Sequence, residues 1–83
     1  MNIQTIDFIP VGVCSKRYHI EVEAGRIRDI IVEGGCHGNL QGLIALLRGM
    51  EVREAIDRLQ GIDCKGKGTS CPDQISKALR RAI

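Results

Sequence analysis

Apolar and polar residues alternate most clearly in the first third of the chain, where Tyr18, Ile20 and Val22 interleave with Arg17, His19, Glu21 and Glu23. A period of two marks a strand with one buried face and one wet face. Upstream, residues 2–9 are rich in strand formers and are broken by Pro10 and Gly12, which predicts a first strand and a turn. Ala24-Gly25 supplies a tight turn after the second strand, and residues 26–33 resume with Ile27, Ile30, Ile31 and Val32. Such a segment pairs antiparallel with its predecessor across the turn. Three strands in a meander are expected.

The period then changes. After Gly34-Gly35, the residues Leu40, Leu43, Ile44 and Leu47 fall on one face of a helix, with Asn39 as its N-cap and Gly49 as its stop. Val52, Ala55, Ile56 and Leu59 trace a second stripe that Gly61 closes. Residues 62–70 form a loop whose Cys64-Lys65-Gly66-Lys67-Gly68 centre is too glycine-rich for regular structure, so Cys64 is placed on a flexible segment that reaches solvent. Pro72 suits the first position of a last helix, whose apolar face runs through Ile75, Ala78 and Leu79 to Ala82 or Ile83. The fold class predicted is α+β: a three-stranded antiparallel sheet followed by three helices, in a single domain spanning residues 1–83.

Composition makes that core thin. The chain has 83 residues and only Phe8 and Tyr18 as aromatics, so Ile, Val, Leu and Ala must fill the interior. Small cores often need a staple, and four cysteines are at hand. The first ten residues lack a basic start, a long apolar run and a small-residue cleavage site, so the expected location is the cytoplasm. No stretch approaches the roughly 20 apolar residues that span a bilayer. The net charge of +2, without a basic block or stacking aromatics, argues against a nucleic-acid binder.

In a reducing compartment, cysteines at element boundaries bind metal or do chemistry more often than they pair. Cys14 follows the first strand, Cys36 precedes the first helix, Cys64 lies in the last loop and Cys71 opens the last helix. Helix N-termini favour thiolate over thiol, and thiolates are what metals bind. The expectation is one thiolate site formed by Cys14, Cys36, Cys64 and Cys71, holding zinc or an iron-sulfur cluster. Structural free cysteines and redox or disulfide use are the alternatives, since there is no C-x-x-C pair.

Thr69-Ser70-Cys71-Pro72-Asp73, running on into Gln74-Ile75-Ser76-Lys77-Ala78-Leu79, resembles the signature of the TSCPD domain family. That family occurs as small stand-alone proteins and as a C-terminal module of B12-dependent ribonucleotide reductases. The resemblance implies metal binding and an association with deoxyribonucleotide synthesis, with a ribonucleoside-diphosphate reductase or an iron-sulfur client protein as partner, but no reaction performed by the chain alone. A more distant resemblance is to the U-type iron-sulfur assembly scaffolds, which share the three-stranded sheet, packed helices and cysteines at loop ends. Cys14 before the strand pair, Gly35-Cys36 opening a helix and Cys71 opening the last helix follow that order, while Lys16 and Ser70 stand where the scaffolds carry an acidic residue and a histidine.

Other features have plainer readings. His37 beside Cys36 is read as a solvated loop imidazole rather than a ligand, and His19 as a polar-face residue of its strand. Residues 61–67 read G-x-x-x-x-G-K, but Gly68 follows where a hydroxyl is needed, so a phosphate loop is disfavoured and Lys65 and Lys67 are assigned to offsetting thiolate charge. Asp73 is read as a first-turn carboxylate at the helix dipole rather than a general base. No catalytic set is identified and no cofactor-binding residues outside the thiols.

Overall fold

A computed structural model of the chain describes residues 3–35, 37–66 and 68–83, the side chain of His37 excepted. The strands are β1 (Ile3–Phe8), β2 (Ser15–Glu23) and β3 (Arg26–Gly34), and the helices are α1 (His37–Leu47), α2 (Val52–Leu59) and α3 (Cys71–Leu79), followed by a 3-10 turn at Arg80–Ala82. The sheet order is β1-β2-β3 with both pairings antiparallel, so the α+β meander read from the alternation is the observed architecture. Of the expected first strand, Asn2 lies outside the described residues.

Alternation decides which face is covered. Ile6, Tyr18, Ile20, Val22, Ile27 and Ile30 are buried against the helices, while the other face carries Asp7, Arg17, His19, Glu21 and Arg28 in ion pairs. Ile27 and Ile30 both turn inward at an odd spacing because the β2–β3 register shifts between Glu21 and Val22, an irregularity that adds a residue to one strand. Ile31 consequently faces out and is 56% exposed. From the helices, Leu47, Val52, Ala55, Ile75, Ala78 and Leu79 complete one contiguous core.

One detail departs from the sequence reading, and one alternative is resolved. Helix α1 begins by His37, so Asn39 is an exposed residue within its first turn and not its cap. Gly34 and Gly35, with φ of 77° and 82°, turn the chain sharply enough for the helix to start early. At the far end, Ile83 is exposed and Ala82 is the residue packed on the core.

The α1–α2 connection adds a rung that periodicity does not reveal. Gly49 donates to the Ile27 carbonyl at 2.8 Å, Ile27 donates to the Met50 carbonyl at 2.9 Å, and Val52 donates to the Gly25 carbonyl at 2.9 Å. These bonds fix the start of α2 beside the β2–β3 turn. Among the described residues no helix is long and apolar enough to cross a membrane.

Candidate metal centre

The Cys14 loop, the end of β3 and the start of α3 come together at Ser15. Strand β2 is buried in the pattern Ser15, Tyr18, Ile20, Val22, with Lys16 and Arg17 both exposed between the first two. A spacing of three would ordinarily put Ser15 and Tyr18 on opposite faces. The register of β2 on β3 shifts between Ser15 and Arg17, and this bulge turns Ser15 inward beneath α3. Ser15 is 4% exposed, although its neighbour Cys14 is exposed.

Two other chain segments then touch that serine. The Cys71 sulfur lies 3.2 Å from Ser15 Oγ. Gly34 pairs with Ser15 across the sheet, and a Cβ on Gly35 would stand 2.7 Å from Ser15 Oγ, so only glycine passes there. Gly35 leads directly into Cys36, which lies outside the described residues. The Cys14 loop is tied to α3 as well, because Val11 donates its amide to Gln74 Oε1 at 3.1 Å.

Cys64 is tied to the segment that leads into α3. Its amide donates to the Thr69 carbonyl at 3.0 Å, two residues before Cys71. Its thiol is exposed, as the glycine-rich loop implies. The loop is nonetheless internally bonded, since the Asp63 carboxylate accepts from the amides of Gly66 and Gly68. Together with the bond from Gly61 to Asp73, these contacts engage three glycine amides of the loop with carboxylates. Lys67, given a charge-offsetting role from the sequence, lies outside the described residues, as does the side chain of His37.

Around Cys71 the signature resolves into separate structural tasks. Ser70 caps α3 by accepting from the Asp73 amide at 3.1 Å. Thr69 Oγ1 donates to Asp73 Oδ2 at 2.6 Å and accepts from Gln74 Nε2 at 2.9 Å. The other carboxylate oxygen, Asp73 Oδ1, accepts from the Gly61 amide at 2.7 Å. Asp73 is therefore more than a dipole partner: it staples the end of α2 to the start of α3. The Thr69 and Gly61 donors hold its carboxyl below the ordinary range. Both of its oxygens accept hydrogen bonds that join separate parts of the chain. Of the polar side chains in this signature, Cys71 is the one not used to lock the loop; it is half-buried and faces Ser15.

The tyrosine of β2 completes the surroundings. Tyr18 is fully buried, its ring stacked on Phe8 at 6.4 Å between centroids, and its hydroxyl has no hydrogen-bond partner. Burial pushes the phenol well above its ordinary value; the Ser15 hydroxyl opposes this and the Cys71 sulfur adds to it. Ser15 and Tyr18 were not legible as site residues. The signal that could have found them is the pair of polar residues Lys16-Arg17, which interrupts the alternation just before Tyr18.

Elsewhere, His19 behaves as a surface residue. Its Nδ1 lies 3.0 Å from Asp7 Oδ1, which also accepts from Arg17 at 2.9 Å, and the two partners lower the Asp7 carboxyl. Among the described residues, no three His, Cys, Asp or Glu side chains are gathered around one point. Cys14, Cys64 and Cys71 are free thiols.

No curated protein and no solved structure matches the chain. The family model of the TSCPD domain matches residues 2–83, and the protein belongs to the TSCPD domain family.

Proposed function

We propose that the protein is a small metal-binding module in which the thiolates of Cys14, Cys36, Cys64 and Cys71 hold one zinc ion or a small iron-sulfur cluster, in the reducing cytoplasm. The observation that carries the reading is the meeting at Ser15 of the Cys14 loop, the end of β3 and the start of α3: Cys14 adjoins it, Gly35 packs on it just before Cys36, and the Cys71 sulfur lies 3.2 Å from it. Cys64 is tied to the same helix start through Thr69. The donor set fits the group, because soft thiolates select zinc and iron-sulfur clusters. A bound ion would cross-link the neighbouring ends of two strands, the start of β2 and the end of β3, to the last loop and the last helix, which a thin core needs. Since the described thiols are not gathered beforehand, coordination and final folding would be one step.

The alternative reading is an accessory role in ribonucleotide reduction, with the chain acting as a partner domain or thiol relay. The exposed Cys14 and Cys64 favour it, since a relay needs thiols within reach of another protein. A reductase reaction by the chain alone is not expected.

Elemental analysis with an absorption spectrum of protein purified without oxygen separates these outcomes. The proposal expects close to one zinc per chain without colour, or iron with sulfide and visible absorption. Protein free of metal that also takes up none on reconstitution would leave the relay reading in place of this one.

A further inference from the structure

The outer edge of β3, the one not paired with β2, is covered along part of its length only. Ile27 turns its amide and carbonyl away from β2, to Met50 and Gly49 of the α1–α2 connection. The register shift opposite Glu21 and Val22 leaves Arg28 without a cross-strand partner, so the outward positions after it are Ile30, Val32 and Gly34. The Ile30 amide bears this out, because it donates to Asp29 Oδ1 at 2.9 Å. Arg48 holds the same carboxylate oxygen through Nε and Nη2, each at 3.0 Å. Beyond Ile30, among the described residues, no backbone bond from outside the β2–β3 ladder reaches Val32.

That open stretch borders a trench of about 470 Å³, with Ile30, Val32 and Gly34 on one side and Leu40 and Ile44 of α1 on the other. Among the described residues no carboxylate lines it, and its charges lie at the ends. Arg48 closes one end and is already paired with Asp29. At the other, the stem of Lys16 lies beside Gly34, where a Cβ would stand 3.3 Å from Lys16 Cγ. Lys16 is exposed and makes no ion pair among the described residues.

We propose that the trench takes an extended peptide of a partner protein, which adds a strand beside Val32, sets alternate apolar side chains between β3 and α1, and presents a carboxylate to Lys16. Each part of that description answers one observation. The uncovered edge at Val32 offers main-chain hydrogen bonds, and the period of two in a strand sends every second side chain into the apolar trench. An unpaired cation at the mouth selects an acidic flank. Asp29 and Arg48 set the stop, since a strand running on toward Ile27 meets an amide already bonded. The proposal does not depend on the thiols binding a metal.

The test titrates two synthetic peptides, Asp-Asp-Val-Thr-Val-Thr-Val and Val-Thr-Val-Thr-Val-Asp-Asp, which serve the two strand directions, into the isotope-labelled full chain followed by amide NMR. One of them should give saturable shifts at Val32, Gly34, Leu40 and Ile44 and slow the hydrogen exchange of the Val32 amide. Val32→Pro removes the edge donor at a position where proline spares the β2–β3 ladder, and should weaken binding about tenfold. Lys16→Glu should weaken it severalfold, and peptides with Lys for Asp should bind the wild type correspondingly weakly. Thermal melts establish that the variants fold; Lys16→Glu, on an exposed residue, carries the test if Val32→Pro does not. Absence of shifts at these residues with both peptides overturns the proposal, as does equal binding of the lysine versions. If the chain alone shifts the same amides with rising concentration and sediments as a dimer, the trench belongs to a second copy and the proposal fails.

Discussion

Asp73→Ala should destabilise the metal-free domain by about 2–3 kcal/mol, because it leaves the buried Thr69 hydroxyl without its charged acceptor and cuts the bond from the Gly61 amide that ties α2 to α3. In a domain of this size that corresponds to a melting temperature lower by roughly 10–20 °C. The effect exceeds that of an ordinary surface carboxylate because Asp73 is 6% exposed and both of its oxygens accept from residues close in space but distant along the chain or outside the helix. The sign of the pH dependence follows from the lowered carboxyl. A group whose folded value is depressed contributes its full stability above its unfolded value of about 3.9 and loses it as pH falls through the folded value. Wild-type stability should thus decline from about pH 5 downward, and Asp73→Ala should flatten that part of the profile. Thermal melts of both proteins between neutral and acid pH check this; equal acid sensitivity would show that the carboxylate is not the staple described.

The sheet and the helices were legible because one physical rule governs each. Tyr18, Ile20 and Val22 could alternate only as a half-buried strand, and Val52, Ala55, Ile56 and Leu59 could share a face only as a helix. The staple was less legible. Asp73 was placed correctly in the first turn of α3, but its reach to Gly61 depends on how the loop folds back, which no local pattern encodes. The rung between Ile27 and Gly49-Met50 was hidden for the same reason: it joins residues far apart in sequence through backbone atoms that every residue carries. Asn39 was misplaced because capping preference by residue type was outweighed by the Gly34-Gly35 turn. At the candidate centre the cysteines announced themselves by their boundary positions, whereas Ser15 and Tyr18 did not. Their common direction depends on a bulge, which shifts the face of every residue before it.

The second large effect concerns the ligands. Replacing Cys71 by Ser should weaken zinc binding by more than about 100-fold, since loss of even an outer partner costs roughly 10–100-fold. Cys14→Ser, Cys36→Ser and Cys64→Ser should do the same, because four thiolates on one ion act as a unit. The metal-loaded wild type should melt higher than the metal-free form, by the amount that mass action gives a ligand bound only to the native state: about 2.7 kcal/mol at a free concentration 100 times the dissociation constant. Each variant should lose that increment while its metal-free form changes little. Binding should also weaken as pH falls, because zinc must displace protons from the thiols. Competition titrations against a chelator of known affinity, paired with melts, measure both quantities. If Cys64→Ser alone kept full affinity, the centre would be a three-thiolate site with an open position.

The central claim is tested most directly by X-ray absorption at the zinc edge of protein loaded with one equivalent of zinc. The account predicts a first shell of four sulfur atoms at about 2.3 Å. A shell of nitrogen or oxygen atoms at about 2.0–2.1 Å, with fewer than three sulfurs, would contradict it.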